Sequence, residues 1–168
     1  MIGRQPKFTI LRIIILVAVI VCARQFFLLP IQIVGPSMLP GYQDRGINLV
    51  NRLAYLFHEP ARGDVVAVRT SGLHNMFMKR IVGLPGETVA FHHGRAVVNG
   101  KMLDEPYVVY SSDWELPPVT VAPSFYLVVG DNRSMSSEAH TFGQTERERI
   151  VGKILLCKNL FASSARPR

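Results

Sequence analysis

The stretch TVAFHHGRAVVNG, residues 88–100, contains two short apolar runs, each followed by a turn signal. Runs of β-branched and aromatic residues of this length are typical of strands. The pairs His93-Gly94 and Asn99-Gly100 bracket the second run, and such pairs accept the positive φ angles of tight hairpin turns. The stretch therefore predicts a small antiparallel meander and indicates a fold built mainly from strands.

The rest of the chain after Pro30 continues this pattern of short β-rich runs between turn residues. The runs predict strands at residues 47–50, 64–69, 77–82, 88–91, 95–98, 107–110, 125–129 and 150–156. Prolines at positions 117, 118 and 123 predict a loop, and residues 53–57 a single helical turn. The tail, 162–168, is expected to be disordered. The fold class that follows is mainly β and antiparallel.

Length and composition set limits on the class of protein. The chain has 168 residues and a mass of 18.8 kDa, which is enough for one core with a small lobe. A hydrophobic content of 48% with 18% charged residues excludes a disordered chain, and the mean hydropathy of +0.21 suggests contact with lipid. The net charge of +7 comes from scattered basic residues, which favours anionic lipid over nucleic acid as a partner. Two distant cysteines provide no disulfide framework.

An apolar segment at residues 8–29 sets the expected location of the protein. At about 1.5 Å per residue a helix of this length reaches roughly 33 Å, enough for a bilayer core of about 30 Å. Arg12 and Arg24 lie near enough to its ends to extend toward headgroups. The basic tail, 1–7, places the N-terminus in the cytoplasm, and everything after Pro30 outside. The segment is therefore predicted to be a single transmembrane anchor.

A cleavable signal peptide is the alternative interpretation of the same segment. Residues 13–23 have the length of a signal-peptide apolar region, and Ala23 is a small residue at a plausible cleavage position. The apolar run continues through residues 26–29, which favours a retained anchor.

Three features beyond the anchor carry possible chemistry. Ser37 lies between two prolines and a glycine in GPSMLP, which holds its hydroxyl in a stiff loop. Lys79 interrupts the apolar run MFMKRIV; if its side chain points inward, desolvation lowers the pKa of the amine and makes it available as a base. A polar loop, GDNR at residues 130–133, follows an apolar strand, and a capped turn is its ordinary explanation. Each feature alone is more often structural than catalytic.

Other kinds of site find little support. The five histidines share no metal-ligand spacing, and the sequence contains no glycine-rich phosphate loop or dinucleotide motif. A Ser-His-Asp triad remains possible but is not specified by any spacing.

The order of these segments resembles that of the type I signal peptidases, membrane-anchored Ser-Lys proteases that remove leader peptides from exported proteins. Five blocks along nearly the whole chain carry the resemblance, and five in order are specific although each alone is weak. They are the anchor running into GPSMLP at 35–40, LVNRLAY at 49–55, RGDVV at 62–66, KRIVGLPGE at 79–87 with Asn99-Gly100 after it, and GDNR at 130–133 through Phe142-Gly143.

The resemblance implies a β-rich catalytic domain at residues 30–161 with a small meander lobe at about 86–124. It implies that Ser37 is the nucleophile, that Lys79 is its general base and that Ser136 orients the lysine. The backbone N–H of Ser37 is implied as an oxyanion donor. Some family members supply a second donor from a serine two residues before the nucleophile, where this chain has Gly35.

The last block departs from the family pattern. Where the family commonly has Asp-Ser-Arg, this chain has Glu138-Ala139-His140. An acid–base pair at the same spacing is retained as Glu138 with His140, and it is expected to lie near the site as a structural pair. The pair is expected to be weaker than one with arginine, because histidine is only partly charged near neutral pH.

Substrate recognition is expected beside the nucleophile, where Ile31, Ile33 and Val34 would pair with an extended peptide by strand addition. The resemblance implies that the substrate is a secretory preprotein with small residues at positions −1 and −3 from the cut, and that neither a metal nor an organic cofactor is needed. The implied location is the bacterial plasma membrane with the catalytic domain on its outer face; the mitochondrial inner membrane stays open.

Two other functions fit the same residues. The altered segment 138–140 is compatible with a specialised peptidase that matures one or a few substrates. An inactive, membrane-anchored domain that only binds extended peptides belongs to a different class, and the retention of Ser37, Lys79 and Ser136 argues against it.

Overall fold

The computed structural model describes residues 6–32, 34–69, 76–137 and 143–155. Within these residues there is one α-helix, α1 (Pro6–Phe27), followed by eleven strands in two antiparallel sheets. The larger sheet has the spatial order β1-β2-β11-β3-β4-β9-β10. Its strands are β1 (Leu28–Gln32), β2 (Ile47–Asn51), β3 (Val65–Arg69), β4 (Met76–Gly83), β9 (Phe125–Val129), β10 (Gly143–Glu146) and β11 (Ile150–Leu155). The predicted fold class, mainly antiparallel β, is confirmed.

The smaller sheet is the predicted meander with two further strands. It consists of β5 (Thr88–His92), β6 (Arg95–Val98), β7 (Lys101–Met102) and β8 (Leu116–Thr120), in the order β7-β6-β5-β8. His93 and Gly94 have φ angles of 48° and 72°, and Asn99 and Gly100 of 50° and 79°. Positive φ at both central residues matches the strand twist across a two-residue hairpin, which explains why both turns form at the predicted pairs.

The core is organised around β4, which contributes to three buried clusters. Val82 packs with residues of the smaller sheet such as Phe91 and with Trp114, so this cluster joins the two sheets. Met78 packs with Met38, and Ile81 packs in a third cluster around Tyr55. Strand β4 therefore places its residues between the smaller sheet and the segment that contains Ser37.

The predicted strand at 107–110 is wrong. Its first residue, Tyr107, lies in a turn closed by the hydrogen bond from the Val108 N–H to the Glu105 carbonyl oxygen at 3.0 Å. The predicted helical turn at 53–57 is also wrong, because these residues form a series of turns and bends. In both segments, side-chain contacts with distant residues decide the conformation.

The predicted loop around Pro117 and Pro118 is in fact the edge strand β8. Proline cannot donate to a ladder and is tolerated at sheet edges and at irregularities. Among the described strands β8 pairs with β5 alone, and the register shifts between Val89 and Phe91, opposite the two prolines. Three further strands were missed: β1, β7 and β10. The remaining predicted strands lie within about one residue of those observed, apart from residue 156, which is outside the described residues.

The N-terminal helix α1 ends at Phe27, two residues before the predicted end of the apolar segment, because Leu28 and Leu29 pair with β2. Its large apolar side chains from Phe8 to Val21 are 51–60% exposed. Side chains of α1 are described from Phe8 to Cys22 and at Phe27. Among the residues that the structure describes, no helix is both long enough and apolar enough to cross a bilayer. The predicted disordered tail, 162–168, lies outside the described residues.

Candidate functional site

Ser37 lies at the centre of a single 3-10 turn, Pro36–Met38. Gly35 precedes the turn with a φ of 116°, a backbone conformation that glycine adopts without strain, and its N–H donates to the Asp44 carboxylate at 2.7 Å. The Leu39 N–H closes the turn on the Pro36 carbonyl oxygen at 3.1 Å. Met38 is only 1% exposed, so the buried methionine anchors the turn while Ser37 remains partly accessible.

Lys79 lies in β4, directly opposite Val66 of β3, and its side chain is buried. Burial lowers the pKa of the Lys79 amine from its ordinary 10.5 to about 8, although the charge of Asp131 acts in the opposite direction. An amine with this pKa is neutral in an appreciable fraction of molecules near neutral pH, so it is able to accept a proton. The condition that the sequence left open, an inward orientation of Lys79, is therefore met.

The strand that contains Lys79 and the turn that contains Ser37 are in contact. Their neighbours in the chain, Met78 and Met38, pack in the same buried cluster. The structure therefore brings together two segments that are far apart in the sequence, the turn that contains Ser37 and the strand that contains Lys79.

Three consecutive buried residues after β9, the 131–133 segment, connect this region to the rest of the domain. The Asp131 carboxylate accepts hydrogen bonds from the guanidinium of Arg80, which follows Lys79 in β4, from Nε at 2.8 Å and from Nη2 at 2.6 Å. Bidentate pairing of this kind fixes the orientation of both groups. Asp131 thus ties the loop after β9 to the strand of the lysine.

Asn132 ties the same loop to the turn of the serine. Its backbone N–H donates to the Ser37 carbonyl oxygen at 3.0 Å, and its side-chain Nδ2 donates to the Pro36 carbonyl oxygen at 3.1 Å. The Asn132 Oδ1 accepts hydrogen bonds from the Ser134 N–H at 3.2 Å and hydroxyl at 2.7 Å. The amide is therefore held from one side by its own loop while it holds the Ser37 turn from the other.

Arg133 connects the segment to the smaller sheet through an ion pair with Glu105, and neither side chain is exposed to solvent. The Arg133 Nη2 lies 2.6 Å from the Glu105 Oε1, and its Nε donates to the Gly130 carbonyl oxygen at 2.8 Å. Glu105 also accepts from the Ala96 N–H at 2.8 Å and from the Tyr107 hydroxyl at 3.1 Å. The Tyr107 ring lies 3.9 Å from the guanidinium carbon of Arg80, which closes the network onto β4.

The other predicted site residues are placed as follows. Ser136 is exposed in the loop after the 131–133 segment, and this loop is held by the Trp114 indole N–H, which donates to the Met135 carbonyl oxygen at 2.9 Å. Ile31 packs against the cluster that contains Met38, and Val34 is 77% exposed. Ile33, Glu138 and His140 lie outside the described residues. Among the residues that are described, no group of three or more His, Cys, Asp or Glu side chains is arranged to hold a metal ion.

Sequence analysis missed Asn132, Glu105 and Arg80 as parts of this site. GDNR was a polar turn and a block of the family resemblance in the sequence, but its residues had no assigned contacts, since a local pattern does not show that their side chains are buried. Glu105 and Tyr107 stand on either side of Pro106, which signals a turn and gives no indication of an ion pair with a residue 28 positions away.

Comparison with known proteins agrees with the resemblance found in the sequence. A family model described as signal peptidase, peptidase S26, matches residues 7–158. A probable signal peptidase I-2 from Synechocystis sp. is 38% identical over 123 residues, covering 70% of this chain and 56% of that protein. A signal peptidase I from Leptolyngbya laminosa is 34% identical over 128 residues, covering 71% of this chain and 63% of that protein.

A relative of more similar length is the signal peptidase I V of Bacillus subtilis, which is 30% identical over 164 residues. That match covers 89% of this chain and 97% of the relative, whereas the chain spans only 56% and 63% of the two cyanobacterial proteins. Because the family model extends from residue 7 to residue 158, through the Ser37 turn, Lys79 and the 131–133 segment, the chain belongs to the signal peptidase family of serine peptidases, S26.

Proposed function

We propose that this protein is a membrane-bound serine endopeptidase that cleaves signal peptides from exported preproteins, with Ser37 as nucleophile and Lys79 as general base. The observation that carries the proposal is the burial of Lys79, which lowers its pKa to about 8, in a strand that contacts the Ser37 turn. A surface lysine would be protonated at neutral pH and unable to serve as a base. Membership of the signal peptidase family supports the substrate class.

The reaction begins with attack of the Ser37 Oγ on the scissile carbonyl carbon while the neutral Lys79 amine takes the hydroxyl proton. The backbone N–H of Ser37 stabilises the oxyanion that forms. As the peptide bond breaks, the Lys79 ammonium returns its proton to the leaving amine. Water then attacks the acyl-enzyme with Lys79 again as base, which releases the second product and restores Ser37.

The structure of the turn supports the single-donor version of this oxyanion site. Gly35 has no side chain, and the positive φ of 116° at this position disfavours a serine there. A second donor from two residues before the nucleophile is therefore not part of the proposal. Ser136 is proposed to orient the Lys79 amine, and Glu138 with His140 to form a structural pair near the site that stabilises the loop carrying Ser136.

We propose that the substrate adds as a strand beside β1, which pairs with β2 on one side and is an edge of the larger sheet. Ile31 lies in this strand and its side chain faces the core, while Val34 is exposed between β1 and the Ser37 turn. Ile33 completes the proposed substrate-binding set.

Attachment to the membrane is proposed through α1. The large apolar side chains of α1 from Phe8 to Val21 are each more than half exposed, which is unfavourable in water. The apolar run in the sequence extends over 8–29, the length of a bilayer core, with basic residues before it. The proposed topology has a cytoplasmic N-terminus and a catalytic domain on the outer face of a bacterial plasma membrane.

The test is cleavage of purified preproteins by the full-length protein in detergent or vesicles. We expect Ser37→Ala, Lys79→Ala and Lys79→Arg each to lower turnover by at least about a thousandfold, because arginine is not deprotonated in proteins. Ser136→Ala is expected to cost less, since the serine makes no bond to the substrate.

Two matched variants control for nonspecific damage. Lys153→Arg changes a lysine of the same sheet that pairs with Asp64, and Ser112→Ala changes a serine close to the smaller sheet. Both are expected to keep near-normal turnover. Near-normal cleavage by Lys79→Arg would exclude the Ser-Lys mechanism, and cleavage of only one of several preproteins would indicate a dedicated maturation peptidase.

A further inference from the structure

Trp114, in the segment between β7 and β8, packs against the smaller sheet and reaches the loop that contains Ser136. Its side chain is buried in the cluster that joins the two sheets, and its ring meets the ring of Phe91 edge to face, with 6.2 Å between the centroids. The indole N–H donates to the Met135 carbonyl oxygen at 2.9 Å. A buried indole N–H usually has a partner, so the identity of this acceptor, and not the bond as such, suggests a role.

The turn between β5 and β6 fixes the backbone from which the indole extends. The Gly94 N–H donates to the Trp114 carbonyl oxygen at 3.1 Å, and the His93 N–H donates to the Glu115 Oε1 at 2.9 Å. The Gly94 carbonyl oxygen in turn accepts a hydrogen bond from the Arg133 Nη1. With its backbone held in this way, a tryptophan has only two side-chain torsions left to fix.

The accepting carbonyl belongs to the peptide bond that leads into Ser136. A peptide group is planar, so a bond to the Met135 oxygen fixes a plane that also contains the nitrogen and Cα of Ser136. The loop is fixed on its other side at Ser134, whose N–H and hydroxyl donate to the Asn132 Oδ1 at 3.2 and 2.7 Å. Ser136 is exposed, so burial of its own side chain contributes little to its position.

We infer that Trp114 is a positioning residue for the peptidase reaction, whose indole N–H fixes Ser136 at the place from which this serine orients the Lys79 amine. The inference rests on the proposed function, since the role of Ser136 is part of that proposal. It gives the smaller sheet a share in catalysis, although this sheet contains neither Ser37 nor Lys79. A misplacement of about 1 Å caused by a change outside the reacting groups is enough to slow a reaction about a hundredfold.

The experiment measures preprotein cleavage by the full chain in detergent, with and without the indole N–H. Trp114→Phe keeps an aromatic ring and removes the donor. Because the sequence contains a single tryptophan, replacement of tryptophan by benzothienylalanine, which has sulfur in place of the N–H, removes the donor at this position with almost no change of shape. We expect either change to lower kcat about tenfold, with KM little changed.

A double-mutant cycle tests whether Trp114 acts through Ser136. In the Ser136→Ala background, loss of the indole N–H should have almost no further effect on kcat. Val98→Ala is the matched control, because it removes apolar volume from the same buried cluster and leaves the N–H in place. It should lower the thermal midpoint of unfolding and keep kcat within about twofold of wild type.

The contrary outcomes separate this inference from the proposed function. If both donor-free proteins keep a normal kcat, or lose the same factor with and without Ser136, the inference is wrong and the proposed function stands. A loss of kcat in Val98→Ala equal to that in Trp114→Phe would also overturn the inference, because the effect would then follow stability. If Ser136→Ala alone keeps a normal kcat, the orienting role of Ser136 fails together with the inference. If the wild-type chain cleaves no preprotein, the proposed function itself fails and the inference fails with it.

Discussion

The centre of β4 and the junction with the smaller sheet each bury a cation, but they surround it differently. At the junction, Arg133 is enclosed completely and its charge is matched by the equally buried Glu105 at 2.6 Å. In β4, Lys79 lies opposite Val66, and the carboxylate that favours its charged form, Asp131, is itself paired with Arg80. Burial therefore leaves Arg133 a fixed structural ion and makes the ammonium form of Lys79 unfavourable.

The difference shows how one small domain separates stability from chemistry. Removing one partner of a buried ion pair strongly destabilises the fold, because the other charge is left buried and unpaired. A buried lysine with a lowered pKa destabilises the fold while it is charged, so its replacement by an apolar residue should raise the free energy of unfolding. The residue next to Lys79 contributes to this separation, because Arg80 neutralises Asp131 and lies over the ring of Tyr107, which bonds to Glu105.

Removal of the partner at the junction is expected to have the largest effect on stability. Glu105→Ala leaves the Arg133 guanidinium buried without its carboxylate, which should lower the free energy of unfolding by about 3–5 kcal/mol. Urea denaturation of the full chain in detergent measures this change in the free energy of unfolding.

The control for this variant is Glu146→Ala, which breaks an exposed pair with Arg149 and should cost less than about 1 kcal/mol. Replacement of both partners, Glu105→Met with Arg133→Met, should recover much of the loss. Equal losses for Glu105→Ala and Glu146→Ala would show that the buried pair is no more important than a surface one.

Lys79 should affect stability in the opposite direction and with a pH dependence. Because its folded pKa of about 8 lies below the unfolded 10.5, the unfolded state binds more protons between these values, and stability rises with pH through this window. The cost is complete below about pH 8, and a shift of this size corresponds to about 3 kcal/mol. Cleavage should rise with pH through the same folded pKa, because only the neutral amine acts as base.

The measurement compares wild type and Lys79→Met by denaturation from pH 7 to pH 10.5. The variant should be more stable at pH 7, and its advantage should shrink as the pH rises. Because both proteins contain the same tyrosines, the titration of these groups cancels in the difference between the two free energies of unfolding. An advantage that does not change with pH would mean that Lys79 does not titrate in this range.

The smallest change in stability is expected at Asn132, where the effect on activity should exceed it. Asn132→Ala removes the bond from Nδ2 to the Pro36 carbonyl oxygen and those accepted from Ser134, which should cost about 1–2 kcal/mol. Because the lost bonds position the Ser37 turn, we expect a lower kcat for preprotein cleavage with KM little changed.

Gln144→Ala is the matched control, since its side-chain amide also bridges backbone groups, the Ala122 N–H at 2.8 Å and the Thr120 carbonyl oxygen at 3.0 Å. It should lose similar stability and keep its kcat. An equal loss of kcat in both variants would show that Asn132 has no specific role in positioning the Ser37 turn.

Much of the fold could be predicted because its signals are local. The positive φ angles at His93-Gly94 and Asn99-Gly100 follow from the residues at those positions, and the runs that became β2, β3, β4 and β9 are apolar enough to be recognised alone. The misassigned segments have conflicting local signals. Pro117 and Pro118 suggest a loop until the edge position and the register shift of β8 are known.

For the candidate site too, some properties follow from the local sequence and others only from the tertiary structure. The sequence alone determined which residue types were available, a serine in a stiff turn and a lysine in an apolar strand, as well as the family that their order resembles. Only the tertiary structure decided that the Lys79 amine is desolvated, that Asn132 bonds to a residue 96 positions earlier, and that Arg133 meets Glu105. Burial and pairing depend on residues brought together from distant parts of the chain, and the pKa of an ionisable group depends on both.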